Sequence, residues 1–272
     1  MKTLAASLFA IAALGFHSAS AEILVKSGDK IGFMGDSITA GGWSNPAGYV
    51  RLTIAGLKAN GVEAEAIPAG ISGHKSNQML ARLEKDVLSK KPQWMTLSCG
   101  VNDVWHGARG VALEDYQKNI TAIIDQASAA GVKPVVLTAT VIKEDLGNDL
   151  NAKLAPYNEF LRQLAKDKKL PLADLNAMFQ EKIKAANKPG TNVYTSDGVH
   201  MNAEGNMLMA EGVLKAFGLD AGQMEKAKAA WTTAIAEGKA AQEKQAAERR
   251  ARQEKAAKEK AEKEKAATEA KP

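Results

Sequence analysis

Lys30-Ile31-Gly32-Phe33-Met34-Gly35-Asp36-Ser37-Ile38-Thr39-Ala40-Gly41-Gly42 is the stretch whose reading decides the fold. Residues 31–34 are a short apolar run of strand type. Gly35-Asp36-Ser37-Ile38 follows, and residues 39–42 read as a flexible turn. Ser37 then stands at the carboxyl end of a strand, where open α/β sheets place their ligands. A serine alone is a poor nucleophile. The question is whether the chain brings it a base, an orienting acid and an oxyanion hole.

Outward from this stretch, short apolar runs alternate with longer amphipathic ones. Residues 46–60 read as a helix, with Pro46 near the first turn and Gly61 past the end. A second strand falls at 64–67. Residues 76–90 carry Met79, Leu80, Leu83, Val87 and Leu88 at helical spacing, and Pro92 follows. Residues 94–98 are a third strand. The helix at 113–130 sets Tyr116, Ile120, Ile123, Ile124 and Ala127 on one face and closes at Gly131. The fourth strand, 134–139, is continuous and β-branched, as expected where both sheet faces are covered. A helix at 151–168 and a fifth strand at 170–175 come next. Asn202 then caps a helix running to about Phe217. Alternation of this kind implies right-handed βαβ crossovers. The expected architecture is α/β: a three-layer α/β/α sandwich over 22–220 with about five mostly parallel strands.

The two ends lie outside that domain. Lys2, the apolar run from Leu4 to Phe16, and Ala19-Ser20-Ala21 read as a signal peptide over 1–21, cleaved before Glu22. The run is short for a membrane span, and no later apolar segment is long enough. An exported protein, periplasmic or secreted, is expected. From 221 to 272 the composition shifts to Ala, Lys, Glu, Gln and Arg. Met224, Trp231 and Ile235 are expected to dock one turn against the body. Beyond Ile235 nearly every apolar position is alanine, which favours helix but offers little to bury. The tail therefore reads as a solvated helix or a disordered segment. Contact with acidic cell-envelope polymer is the sharper alternative.

The tail carries 13 basic and 9 acidic residues, and Lys2 leaves with the signal, so the whole-chain charge of +5 leaves 22–220 neutral. The basic balance is no argument for nucleic-acid binding. A single cysteine, Cys99, excludes an internal disulfide. Inside an apolar run it reads as a buried packing thiol.

Of the four histidines, His17 leaves with the signal, and His74 and His106 lie in loops. His200 ends Ser196-Asp197-Gly198-Val199-His200, just before the capped helix. Asp197 can fold back onto the imidazole in a turn, fixing its tautomer and stabilising the imidazolium. Alone, the pair can equally be turn and cap residues. Two further loops follow strand ends. Ala69-Gly70-Ile71-Ser72-Gly73 lets a backbone N–H approach a ligand, and Gly100-Val101-Asn102-Asp103 offers the Asn102 amide. Either can be an ordinary turn. Their joint occurrence with Ser37 and His200 is what turn statistics do not readily give. Ser72 lacks the spacing of a nucleophile elbow. Gly73-His74-Lys75-Ser76 echoes a phosphate loop but fails it, because His74 intervenes and Pro68 replaces the upstream glycine. No cluster has metal-ligand spacing, so catalysis without metal or cofactor is expected.

Gly35-Asp36-Ser37-Ile38, Gly73, Gly100-x-Asn102-Asp103 and Asp197-x-x-His200 resemble the four blocks of the SGNH, or GDSL-type, hydrolase superfamily. The resemblance spans about residues 28–217 and implies a flavodoxin-like fold. It also implies that Ser37 is the nucleophile, His200 the general base and then acid, and Asp197 its orienting partner. The implied oxyanion hole is the Ser37 N–H, the Gly73 N–H and the Asn102 side chain. Gly73 is preferred to Gly70 because the family's donor is the glycine ending this loop. Asp36, Gly70 and Asp103 are then supporting residues. One departure is visible: Pro68 stands where the family often has asparagine. The implied reaction is hydrolysis of a carboxylic ester through an acyl-serine.

Trp43, Trp105 and Tyr49 lie near these loops and offer rings to stack on a sugar, or to pack. No long apolar lid is present to shelter a fatty chain. The expected substrate is a small-molecule or carbohydrate ester with a short acyl group, acetyl above all. A lysophospholipase or thioesterase, and a non-catalytic envelope-binding module, are the alternatives.

Overall fold

The computed structural model describes residues 22–269, so the expected signal segment lies outside the described residues. Strands β1 (Lys30–Gly35), β2 (Glu65–Gly70), β3 (Trp94–Ser98), β4 (Lys133–Leu137) and β5 (Leu172–Ala173) form one sheet. Their order is β2-β1-β3-β4-β5, and every pairing is parallel. Phe33 of β1 lies opposite Pro68 of β2 on one side and Thr96 of β3 on the other. Pro68 is tolerated because β2 is an edge strand. Strands β1, β3 and β4 are buried almost throughout, since helices cover both faces of the sheet.

Nine α-helices are present among the described residues: α1 (Ser37–Ser44), α2 (Tyr49–Ala59), α3 (Ser76–Asp86), α4 (Val101–Trp105), α5 (Leu113–Ala129), α6 (Asp149–Asp167), α7 (Leu175–Ala186), α8 (Ala203–Ala216) and α9 (Ala221–Glu269). Helices α2, α8 and α9 pack together, as do α3, α5 and α6, giving the expected α/β/α sandwich. Gly56 lets three helices meet: a Cβ there would stand 2.6 Å from Leu214 of α8 and 3.0 Å from Ala227 of α9. The chain leaves β1 for one neighbour and crosses back to the other. That makes the carboxyl ends of β1 and β3 a topological switch point, the usual place for a ligand in such sheets.

Three local expectations are corrected. Residues 39–42 are the body of α1 rather than a turn. Gly41 and Gly42 weaken helix propensity. Packing decides the matter, because a Cβ on Gly42 would stand 2.5 Å from the Tyr49 ring. The fifth strand keeps only Leu172–Ala173, because the Asp174 side chain accepts from the Ala177 N–H and caps α7. The tail docks over far more than one turn. Helix α9 buries Met224, Ala227 and Trp231, and Trp231 Nε1 donates to Leu52 O at 2.8 Å. Further along, Gln242 Nε2 donates to Ser44 O at 2.5 Å. Among the described residues no helix is long and apolar enough to cross a membrane.

Candidate active site

The carboxyl ends of β1, β2 and β3 converge with the loop before α8 on a cleft of about 410 Å³. Ser37 is the first residue of α1, and Asp36 is its N-cap, accepting from the Ile38 N–H at 2.9 Å. Ser37 Oγ lies 2.9 Å from His200 Nε2, and His200 Nδ1 lies 2.6 Å from Asp197 Oδ2. The other oxygen, Asp197 Oδ1, accepts from the N–H of His200 at 2.8 Å and of Val199 at 3.0 Å. Burial works against this carboxylate. The His200 ring and the two backbone donors outweigh it and hold the Asp197 pKa at about 2. With Asp197 ionised, the imidazole proton sits on Nδ1. Nε2 is left to accept from the Ser37 hydroxyl.

Ser37 and Gly73 line the same cleft, and each has a backbone N–H to offer. The Ser37 N–H is an orphan of the helix N-terminus. Gly73 is exposed with φ +77°, a conformation that glycine adopts without strain. No protein group accepts the N–H of either residue among the described residues. Asn102, on α4, lines the cleft beside them. Its Nδ2 donates to Asp36 Oδ2 at 3.1 Å and to His74 O at 3.3 Å. The longer contact is the weaker one, and its hydrogen is the one an incoming oxygen can recruit.

The supporting residues sit behind this surface. Asp36 is buried; burial foremost, and then the nearby Asp103 charge, raise its pKa to about 6 against the Ile38 hydrogen bond and the His200 charge. Asp103 Oδ1 accepts from Ser76 N at 3.0 Å and Ser76 Oγ at 2.6 Å, tying α4 to the start of α3. Its Oδ2 faces Cys99 Sγ at 3.4 Å. Burial above all pushes the Cys99 thiol well above its ordinary pKa, so it packs as a neutral thiol. Gly70 acts as a spacer: a Cβ there would stand 2.3 Å from Ala40 N, so glycine lets α1 lie against β2.

The model of the GDSL-like lipase/acylhydrolase family matches residues 33–208. The chain belongs to this family. It is similar to an acetylxylan esterase of Geobacillus stearothermophilus, 26% identical over 72% of this chain and 97% of that protein. The crystal structure of the acetyl xylan esterase AlAXEase is 34% identical with a TM-score of 0.64, covering 69% of this chain and 98% of that one. A thioesterase 1/protease 1/lysophospholipase L1 of Escherichia coli (strain K12) is 26% identical over 74% of this chain and 86% of its own. The protein is thus a GDSL-type serine esterase.

One supporting side chain of this GDSL-type esterase belongs to no motif of the sequence. Arg82 lies on the buried face of α3. Its Nη2 donates to Gly35 O at 2.8 Å, and its Nη1 donates to Ala69 O and Asp86 Oδ2, both at 2.9 Å. Its Nε donates to His74 Nδ1 at 3.1 Å. Burial first, and then the Arg82 charge, lower the His74 pKa, which keeps the ring a neutral acceptor. One guanidinium therefore pins the ends of β1 and β2 and the loop after Gly73. The available signal was a charged residue beside Leu83 and three residues after Met79, on an otherwise apolar face. The aromatic expectation narrows. Tyr49 is fully buried against Thr39, and Trp43 stacks under Arg51 at 4.6 Å, leaving Trp105 on the cleft.

Proposed function

We propose that this esterase is exported and removes acetyl groups from carbohydrate, using Ser37, His200 and Asp197 with an oxyanion hole of Ser37 N–H, Gly73 N–H and Asn102. The observation that carries the residue roles is the continuous chain from Ser37 Oγ through His200 to Asp197, at 2.9 and 2.6 Å. It opens on the same cleft as Gly73 and Asn102. His200 Nε2 takes the Ser37 proton as Oγ attacks the ester carbonyl. The carbonyl oxygen becomes an oxyanion held by the three donors, and Asp197 stabilises the imidazolium. Collapse expels the sugar hydroxyl with the proton from Nε2, leaving acetyl-Ser37. Water then repeats the sequence and releases acetate.

Three features support the sugar ester. Trp105 lines the cleft with 40% of its surface exposed. The indoles of Trp94 and Trp231 are buried and bonded to Asp29 and Leu52, whereas the Trp105 N–H has no protein acceptor among the described residues. A free ring with a free donor suits a sugar face and a hydroxyl. Two acetylxylan esterases are among the relatives. The export reading rests on residues 1–21, and a neutral catalytic body suits an uncharged polymer.

The test compares chain 22–272 with its Ser37→Ala variant on acetylated xylooligosaccharides, lysophospholipid, and acetyl and octanoyl nitrophenyl esters. Release of acetate from the oligosaccharide, lost in Ser37→Ala, is the expected result. Faster turnover of octanoyl esters and lysophospholipid would favour the lipid acyl hydrolase named in the Escherichia coli relative.

A further inference from the structure

We propose that Glu144 is the positioning residue for the catalytic base, holding the loop of Asp197 and His200 in register with Ser37. The inference rests on the reading of His200 as the base. Asp197 and His200 lie in the long connection between α7 and α8, and their side chains are 54% and 48% exposed. Residues 187–192 of that connection are all exposed. A segment with so little burial opens locally at small cost. Yet His200 Nε2 has to stay within 2.9 Å of Ser37 Oγ.

Glu144 supplies the missing restraint. It sits in the loop after β4, and it is buried. Its carboxylate is filled by donors from one short segment of the connection. Oε2 accepts from Val193 N at 2.7 Å; Oε1 accepts from Tyr194 N at 2.8 Å, Thr195 N at 2.7 Å and Thr195 Oγ1 at 2.7 Å. Bonds to a charged acceptor are about twice as strong as neutral ones. Thr195 passes the restraint on, because its Oγ1 accepts from Gly198 N at 3.1 Å. The neighbouring Lys143 N–H donates to Gly198 O at 2.7 Å. Residues 143–144 thus grip both sides of Asp197. The grip reaches His200 through a small closed loop: Thr195 bridges Met201, and Ser196 N donates to His200 O at 2.8 Å.

Glu144→Gln keeps the side-chain shape but turns one oxygen into an amide facing N–H donors. A displacement of the base of about 1 Å typically costs about 100-fold, so kcat on an acetyl ester is expected to fall about 10- to 100-fold. KM should stay nearly constant. The deciding readout is a double-mutant cycle. In a His200→Ala background there is no base left to position, so adding Glu144→Gln should lower the residual rate no further. A general structural defect would lower it by the same factor in both backgrounds, and that result overturns the inference. An unchanged kcat in Glu144→Gln, with His200→Ala impaired, overturns it alone. An unimpaired His200→Ala removes the base reading and the inference together. Should Glu144→Gln fail to fold, Thr195→Val serves, since it leaves the carboxylate its three backbone donors and deletes the hydroxyl that links Glu144 to Gly198. The same cycle is expected of it, and unchanged turnover again overturns the proposal.

Discussion

Asp36 and Asp197 are both carboxylates of the site, and the fold drives them in opposite directions. Burial raises Asp36 to about 6, whereas its ordinary value is 3.8. The folded protein therefore binds more protons than the unfolded chain between these values. Stability from this group is fully present below about 4 and is lost as pH rises through about 6. A shift of this size corresponds to roughly 3 kcal/mol for a fully buried group. Asp197 runs the other way. Its contribution is present above the ordinary carboxylate range and is lost as pH falls towards about 2. Being half exposed, it is screened and contributes little. Thermal midpoints of the wild type and Asp36→Asn, compared from pH 4 to 6, should diverge with the variant gaining. A constant difference would mean that Asp36 ionises freely in the fold. Asn102 gives a second expectation at this scale. Deleting one oxyanion donor costs about 3–4 kcal/mol of transition-state stabilisation, so Asn102→Ala should lower kcat about 100- to 1,000-fold. Its urea midpoint should move little, because the side chain is only half-buried and its removal leaves Asp36 able to protonate. An unchanged kcat would take Asn102 out of the hole.

At the scale of elements, the placement of Ser37 depends on how closely α1 approaches β2. Gly70 is the contact point, with a virtual Cβ 2.3 Å from Ala40 N and 2.7 Å from Thr39 C. Both are backbone atoms and cannot rotate away. Gly70→Ala must therefore push α1 outward, at a cost of about 1–3 kcal/mol for overpacking. Since Ser37 heads that helix, kcat should fall with the stability, and a chemical-denaturation curve beside an esterase assay tests both. Stability lost with full activity would show that α1 can move without carrying Ser37 from His200. The same elements explain what the sequence made legible. Strands β1, β3 and β4 are continuous apolar runs, and α5 has an uninterrupted face, so pattern alone located them. Helix α1 has two glycines and only a short apolar face, so it is made by packing that no local pattern encodes. Helix α7 is obscured for a different reason: Leu175, Phe179 and Ile183 repeat helically, but the strand-type run before them continues into Leu175. The residues that the structure brings together at the candidate site, Ser37, Gly73, Asn102, Asp197 and His200, lie on recurring short motifs and are legible as such. Arg82 and Glu144 were not, because their partners, Gly35 and Thr195, stand 47 and 51 residues away.

At the scale of the molecule, α9 divides into two physical regimes. Its first part packs on α2 and α8, with Trp231 3% exposed and bonded through Nε1 to Leu52 O of α2. Among the described residues its last hydrogen bond to the body is that of Gln242, and residues 243–254 are exposed. Helix there is sustained by Ala, Lys and Glu propensity and by close Glu–Lys spacing, not by burial. Composition showed the whole tail as one charged segment, and only three apolar side chains marked where it joins the body. Trp231→Ala removes a buried aromatic and its hydrogen bond, and large-to-small changes of this kind cost about 3–5 kcal/mol. Truncation after residue 245 removes a segment whose described side chains are all exposed. Because about 1 kcal/mol moves the midpoint of a domain this size by roughly 2–4 °C, Trp231→Ala should lower it by about 10 °C. The truncated chain should melt with the full-length protein and keep its esterase rate. Scanning calorimetry on both variants separates the regimes. A truncation as damaging as Trp231→Ala would mean that the distal helix is packed on the body after all, and the division at Gln242 would have to be abandoned.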